Sequence, residues 1–406
     1  VSGYYKTLNR WERLLYWLAI AIILLGVVLR VIVWAQNRDL IIDEANIARN
    51  IFERGFIGLA TPLSYEQYAP VSFLWMEKGM TMLFGFSEYA LKAFPLLSGI
   101  GVLIVLMLVL KEFVSLRSLW YPLALFATAH FFLRYSTEVK QYMSDALVVL
   151  LLVYFALKIS ITETTGKKFV LSWILIGTLA ICSAMPSVFA LTGVGGYYFW
   201  ICFKEKKYDK MRLLFLVSFI WLVEFALYYY FLLRDQAHST YLQNFHADYF
   251  LVATPGSIKE WAHNWNVTSE LVNLTTGYAL SGKLFNFGLL AFGSILLLYR
   301  NTARGLLLIL PLFFTLVAAA INEYSMIPRV VLFTMPLLLV VITNAMDFFM
   351  SKKSMIVKLA FAGMALACVI MHNQIQMAWK PFYGEQATWA MQLMKDNGIK
   401  GKQLNV

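Results

Sequence analysis

Apolar residues run along this chain in long unbroken blocks, and the charges collect in the connections between them. Blocks near 14–35, 94–112, 118–134, 143–160, 169–185, 187–203, 212–233, 284–300, 305–321, 329–349 and 355–373 reach or approach the length a helix needs to cross a membrane. That length is roughly 20 residues, at about 1.5 Å of rise each. The blocks are rich in Leu, Ala and Met and lack the strict alternation of barrel strands, so each is expected to satisfy its own backbone hydrogen bonds as a helix. The predicted fold is an all-α polytopic membrane protein with about eleven transmembrane helices.

The connections give the orientation. Lys6, Arg10 and Arg13 precede the first block, and every second connection after it is basic: Lys111/Arg117, Lys158/Lys167/Lys168, Lys204/Lys206/Lys207/Lys210/Arg212, Arg300/Arg304 and Lys352/Lys353/Lys358. Positive charge marks the cytoplasmic side, which puts the N-terminus inside, the C-terminus outside and an odd number of spans between them. Two long connections, about 36–93 and 234–283, then lie outside with the tail. The chain divides into a transmembrane domain, 1–373, and an extracytoplasmic tail, 374–406, for which two expectations stand: a short end, or the start of a truncated soluble domain.

Composition agrees with this reading. Of the residues, 60% are hydrophobic and 14% charged, against about 45–50% and about a quarter in soluble domains. The net charge of +11 would suggest nucleic acid in a soluble protein, but here it is an orientation signal and nucleic acid is not an expected partner. The inner connections are short and hold no glycine-rich phosphate loop. Cys182, Cys202 and Cys368 all fall in apolar blocks and read as packing residues.

Chemistry is therefore sought outside. In the first long connection, residues 43–54 have helical periodicity and end at Gly55, as expected of a helix lying on the membrane surface, and Asp43-Glu44 begin it. Acids in a first helical turn also serve as caps and complement the helix dipole, the plainer explanation for this pair. Neighbouring helical side chains point about 100° apart, so the two acids cannot serve one ligand in the same way. Gln67 and Tyr68 precede Pro70, a good helix start, and an apolar, aromatic stretch to Phe84 is expected to be interfacial or re-entrant.

A third group, Arg134 to Asp145, enters the fourth span from outside. If that helix begins near Glu138, then Glu138, Gln141, Tyr142 and Asp145 form one stripe running into the membrane, with Arg134 or Lys140 as partners. The competing explanation is a structural salt bridge. Arg329, at the start of the tenth span, could hold an anion or reach to the headgroups. His238, His246 and His263 share the second long connection without close ligand spacing, so no metal is assigned and a divalent cation stays open. Asn266-Val-Thr and Asn273-Leu-Thr match the glycosylation tripeptide, a pattern that chance produces often.

Several of these segments resemble the GT-C membrane glycosyltransferases, in particular the bacterial relatives of protein O-mannosyltransferases and of the aminoarabinose transferase acting on lipid A. The carrying features are Asp43-Glu44, Gln67-Tyr-Ala-Pro70, Phe86-Ser-Glu88-Tyr-Ala-Leu-Lys92-Ala-Phe-Pro95 and Tyr135-Ser-Thr-Glu138-Val-Lys140-Gln141-Tyr142-Met-Ser-Asp145, with Pro328-Arg329 as a late point of contact. The resemblance implies a multi-pass protein of the bacterial inner membrane that moves a sugar from a polyprenyl-phosphate donor to an acceptor on the outer face, with inversion. Protein, lipid A and surface polysaccharide are all open as acceptors. It further implies that Asp43 is the general base, that Glu44 orients a substrate, and that Lys140, Arg134 and Arg329 hold the donor phosphate. Gln67, Tyr68, Glu138, Gln141, Tyr142 and Asp145 would position donor or acceptor, and the helix at 71–84 would flank the prenyl chain. The aminoarabinose branch has Lys-Pro-Pro where this chain has Tyr68-Ala69-Pro70, so a phosphate contact from that position is not expected.

A transporter or flippase of a lipid-linked sugar is the main alternative, and a non-catalytic scaffold for assembly is a third. The two halves of the chain show no internal repeat, a feature many transporters have, and the acids cluster in outer connections. Both points favour the enzyme.

Overall fold

The computed structural model describes residues 9–234, 239–277, 282–373 and 375–380. Every expected apolar block is helical, with ends set by local chemistry. α1 (Arg10–Ala35) starts where the Asn9 side chain accepts from the Glu12 N–H and the Glu12 carboxylate accepts from the Asn9 N–H, both at 2.9 Å. α2 (Ile42–Glu53) and α3 (Val71–Phe84) fill the first long connection, and α4 (Glu88–Phe113) begins at a Ser87 cap, earlier than its apolar block. The chain continues through α5 (Trp120–Thr128), α6 (His130–Tyr135), α7 (Tyr142–Lys158), α8 (Gly166–Ser183), α9 (Ser187–Lys204) and α10 (Tyr208–Tyr228). A wider helical turn, Tyr229–Leu233, extends α10. Then come α11 (Thr240–His246), α12 (Ile258–Thr276), α13 (Lys283–Arg300), α14 (Thr302–Ala320), α15 (Thr334–Met350) and α16 (Met355–His372).

Among the described residues seven helices are long and apolar enough to cross a membrane: α1, α4, α8, α10 with its extension, α13, α14 and α16. The other expected spans are shorter, interrupted or less apolar. α15 and α7 each have 17 residues, α9 carries Gly193, Gly195 and Gly196, and the third block is divided between α5 and α6.

Two expectations need correction, and one connection holds a helix that the apolar pattern did not mark. The third block is not one helix. At Ala129 the backbone turns extended and pairs with Asn373, while the buried guanidinium of Arg30 donates to the Phe126 carbonyl at 2.8 Å and the Ala127 carbonyl at 3.3 Å. Those are carbonyls that an unbroken helix would use itself, so Arg30 compensates for the break, and it also donates to Ser136 Oγ at 3.0 Å. Secondly, α7 begins at Tyr142 rather than near Glu138, and residues 136–141 form a turn. Glu138 therefore leaves the stripe, which keeps Gln141, Tyr142 and Asp145. The second long connection contains the 19-residue α12, capped by Ser257 and Glu260. Within α12 the Asn273 side chain is buried and accepts from Asn286 Nδ2 at 2.9 Å, so that tripeptide is packing, not a modification site.

Small residues let these helices approach closely, which is how packing is gained where lipid offers no hydrophobic drive. α9 lies tightly on α14: a Cβ at Gly193 would stand 2.5 Å from the Leu307 carbonyl oxygen and 2.8 Å from Pro311. Gly195, two residues on, has nothing within 4 Å. Gly193→Ala is expected to destabilise the detergent-solubilised protein by about 1–3 kcal/mol through overpacking. Gly195→Ala should leave the melting temperature unchanged or raise it, because Ala is the better helix former. Thermal unfolding of the two variants checks both.

One end of the bundle is tied by charge. Lys158 and Arg304 both reach Glu112, at 2.6 and 3.4 Å, and Arg117 reaches Asp347 at 3.2 Å. Asp347 also accepts from Ser118 Oγ at 2.7 Å and from Ser115 Oγ. The basic connections thus gather at one end, and α2, α3 and the 136–141 turn lie at the other.

Candidate active site

The site grows from the exit of α1. Arg38, just past that helix, makes a two-pronged contact with Glu44, Nη1 to Oε2 at 2.6 Å and Nη2 to Oε1 at 2.9 Å. Glu44 is fully buried, and its carboxylate also accepts from the Ile41 N–H at 3.0 Å and the Val139 N–H at 2.7 Å. Buried Lys92, on α4, donates to the Arg38 carbonyl. One carboxylate therefore caps α2 and ties it to the turn before α7. This partly vindicates the cap explanation, but for Glu44 reaching back; the cap position itself is Ile41, and Asp43 does not occupy it.

With Glu44 turned inward, Asp43 faces the other way. It lines a cavity of about 1430 Å³ whose wall also carries Gln67, Tyr68, Lys140, Gln141, Tyr142, Asp145 and Arg329. Residues from four separate parts of the sequence meet there. Lys140 is buried and donates to Gln67 Oε1 at 2.6 Å, and Arg329 Nη2 lies 3.7 Å from Asp43 Oδ2. The Tyr68 and Tyr228 hydroxyls are 3.5 Å apart. Burial pushes the Lys140 ammonium down to about 8, against the opposing pull of Asp43 and Glu138. Two cations and a half-exposed carboxylate on one wall can hold an anionic group beside a base.

The remaining sequence candidates do not line this cavity. Glu138 is buried and pairs with Arg134 at 3.3 Å, the structural salt bridge weighed for that segment. Burial, then Glu44, pushes the Glu138 carboxyl up, while Arg134 and Arg38 pull it down. α3 contributes no lining residue either. The apolar part of the wall comes from Met185, Val188 and Phe189 around the start of α9 and from Leu222, Phe225 and Leu233 along α10 and its extension.

His246 lines the cavity, His263 Nε2 is 2.8 Å from the Phe250 carbonyl, and His238 lies outside the described residues. Among the described residues no group of three or more His, Cys, Asp or Glu side chains could hold a metal.

No family model matches the sequence, and no curated protein does. Solved structures do match. ArnT from Cupriavidus metallidurans in the apo state superposes with a TM-score of 0.53 at 14% identity, over 89% of this chain and 74% of that one. The same protein bound to undecaprenyl phosphate gives 0.51 at 15% identity, over 93% and 72%. The chain has the GT-C fold.

Within this GT-C fold, sequence reasoning missed Arg38, and in the group Tyr65-Glu66-Gln67-Tyr68-Ala69-Pro70 it gave roles to Gln67 and Tyr68 alone. Arg38 had a signal: a cation just beyond a span, six residues before a buried acid. Tyr65 and Glu66 line the cavity as well, from a left-handed backbone, φ +65° and +51°, that is rare for non-glycine residues and that no local pattern announces.

Proposed function

We propose that the protein is an inverting glycosyltransferase that takes a sugar from a polyprenyl-phosphate carrier and passes it to an acceptor at the outer face of the membrane. The observation that carries this reading is the meeting of Asp43, Lys140 and Arg329 on one cavity wall of a GT-C fold. The fold is shared with a protein solved with undecaprenyl phosphate bound. The basic connections gather at the opposite end of the bundle, and positive charge stays in the cytoplasm, which supports an outward-facing cavity.

In this reading Lys140 and Arg329 hold the donor phosphate, and Asp43 takes the proton from the acceptor hydroxyl. The freed oxygen attacks the anomeric carbon from the face opposite the phosphate, the bond from that carbon to the phosphate oxygen breaks, and polyprenyl phosphate leaves. One displacement inverts the configuration. The two cations meet the charge that grows on the leaving phosphate. Glu44 positions α2, and with it Asp43, without touching substrate. Gln67 steers Lys140, and Gln141, Tyr142 and Asp145 face the sugar.

Binding of undecaprenyl phosphate to the purified protein tests the assignment. The Lys140→Met, Arg329→Met double variant is expected to bind about 10²–10⁴-fold more weakly, since each charged hydrogen bond contributes about 1.5–3 kcal/mol. Unchanged binding sinks the phosphate site. Acidity supplies a second check: with the free Lys140 ammonium near 8, kcat/KM should fall as pH rises through that value. Loss of the ammonium, not gain of a base, sets this sign. Lys140→Arg, which keeps its proton, should move the fall to higher pH.

A further inference from the structure

We infer that the acceptor is an uncharged glycan rather than an anionic lipid headgroup or a peptide; the inference rests on the transferase reading above. Among the described residues the cavity wall carries two cationic side chains, Lys140 and Arg329, against three carboxylates, Asp43, Glu66 and Glu323, with the buried carboxyl group of Asp145 beside them. The cations sit with Gln67 and Asp43 at the corner assigned to the donor phosphate. The rest of the wall is rich in hydrogen-bond acceptors. Asp145 Oδ1 and Gln141 Oε1 are buried without a hydrogen-bond partner, on residues only 4% and 9% exposed.

Buried acceptors without donors call for a ligand that brings donors. Sugar hydroxyls do so. A phosphorylated headgroup brings further acceptors, and its charge meets carboxylates where the screening of bulk water is reduced. The donor phosphate already takes both cations, so a second anionic substrate would have no counter-charge among the described lining residues.

Aromatic surface points the same way. The Tyr65 ring lines the cavity and is 40% exposed, with the Arg49 guanidinium 4.8 Å from its centroid. Glu66, the next residue, accepts from Ser239 Oγ at 2.9 Å, and Glu323 accepts from the Tyr229 hydroxyl at 3.2 Å. A ring for the apolar face of a pyranose, beside carboxylates for its hydroxyls, suits a saccharide. The described residues contain no strand whose edge could hold an extended peptide.

The test uses the full chain in lipid nanodiscs with radiolabelled undecaprenyl-phosphate hexose, pentose and aminopentose as donors. Neutral mannan and glucan oligosaccharides, lipid A, and a Ser/Thr-rich peptide are offered in turn, and release of undecaprenyl phosphate is followed. The oligosaccharides are expected to accelerate release about tenfold or more over lipid A and peptide. Replacing Glu66→Gln together with Glu323→Gln should raise the oligosaccharide KM about tenfold, with a smaller change in kcat. Greater stimulation by lipid A or by peptide, or by none of the three, overturns the glycan assignment and leaves the transferase reading standing. Failure to consume any donor with any acceptor overturns the transferase reading itself.

Discussion

Asp43→Asn is expected to cut the turnover number by about 10²–10⁴-fold, the usual contribution of a positioned base, while undecaprenyl phosphate binds as before. The amide keeps the shape of the side chain and removes its ability to take a proton. Its structural cost should be small. Asp43 is half-exposed and does not cap α2, so what is lost is the first-turn charge, about 0.3–1 kcal/mol, and a 3.7 Å contact with Arg329. The melting temperature should therefore barely move. Full activity in Asp43→Asn would rule out the base assignment, and a large loss of stability would return the residue to a structural role.

Arg38→Met should have the opposite profile, with stability lost first. It leaves the Glu44 carboxylate buried, with its Ile41 and Val139 contacts but without its cation. Removing one partner of a buried pair costs about 3–5 kcal/mol. Adding Glu44→Gln to Arg38→Met should recover part of that loss, because a neutral amide no longer needs a counter-charge, so the double variant should be more stable than the sum of the single changes predicts. Denaturation of the three variants in one detergent measures the coupling. Strict additivity would show that the pair does not work as a unit.

The fold was legible because hydrophobic blocks in lipid leave the backbone little choice, and every expected span but the third is a single helix. What the pattern could not show was the break at Ala129. A run of Leu, Ala and Phe gives no local stop, and the interruption is compensated from another helix, by Arg30 donating to the Phe126 and Ala127 carbonyls. That arginine stood in plain view inside an apolar block, where a charge is costly and signals a partner. The site was half legible. Asp43, Lys140 and Arg329 lie in separate segments, and only the fold puts them on one wall. Glu44 and Asp43 look interchangeable in sequence; one residue of helical rotation buries the first and exposes the second. The Glu138 stripe failed because helix starts are weakly encoded: with α7 beginning at Tyr142, Glu138 pairs with Arg134 instead.

The most direct test follows the sugar. Purified protein is placed in sealed vesicles with a panel of undecaprenyl-phosphate sugars carrying labelled sugar, together with acceptor-containing membrane extract. The account predicts that label leaves the lipid for an acceptor while undecaprenyl phosphate accumulates, in wild type and not in Asp43→Asn. Label that crosses the bilayer still attached to its lipid, equally in both proteins, would mean a transporter and would contradict it.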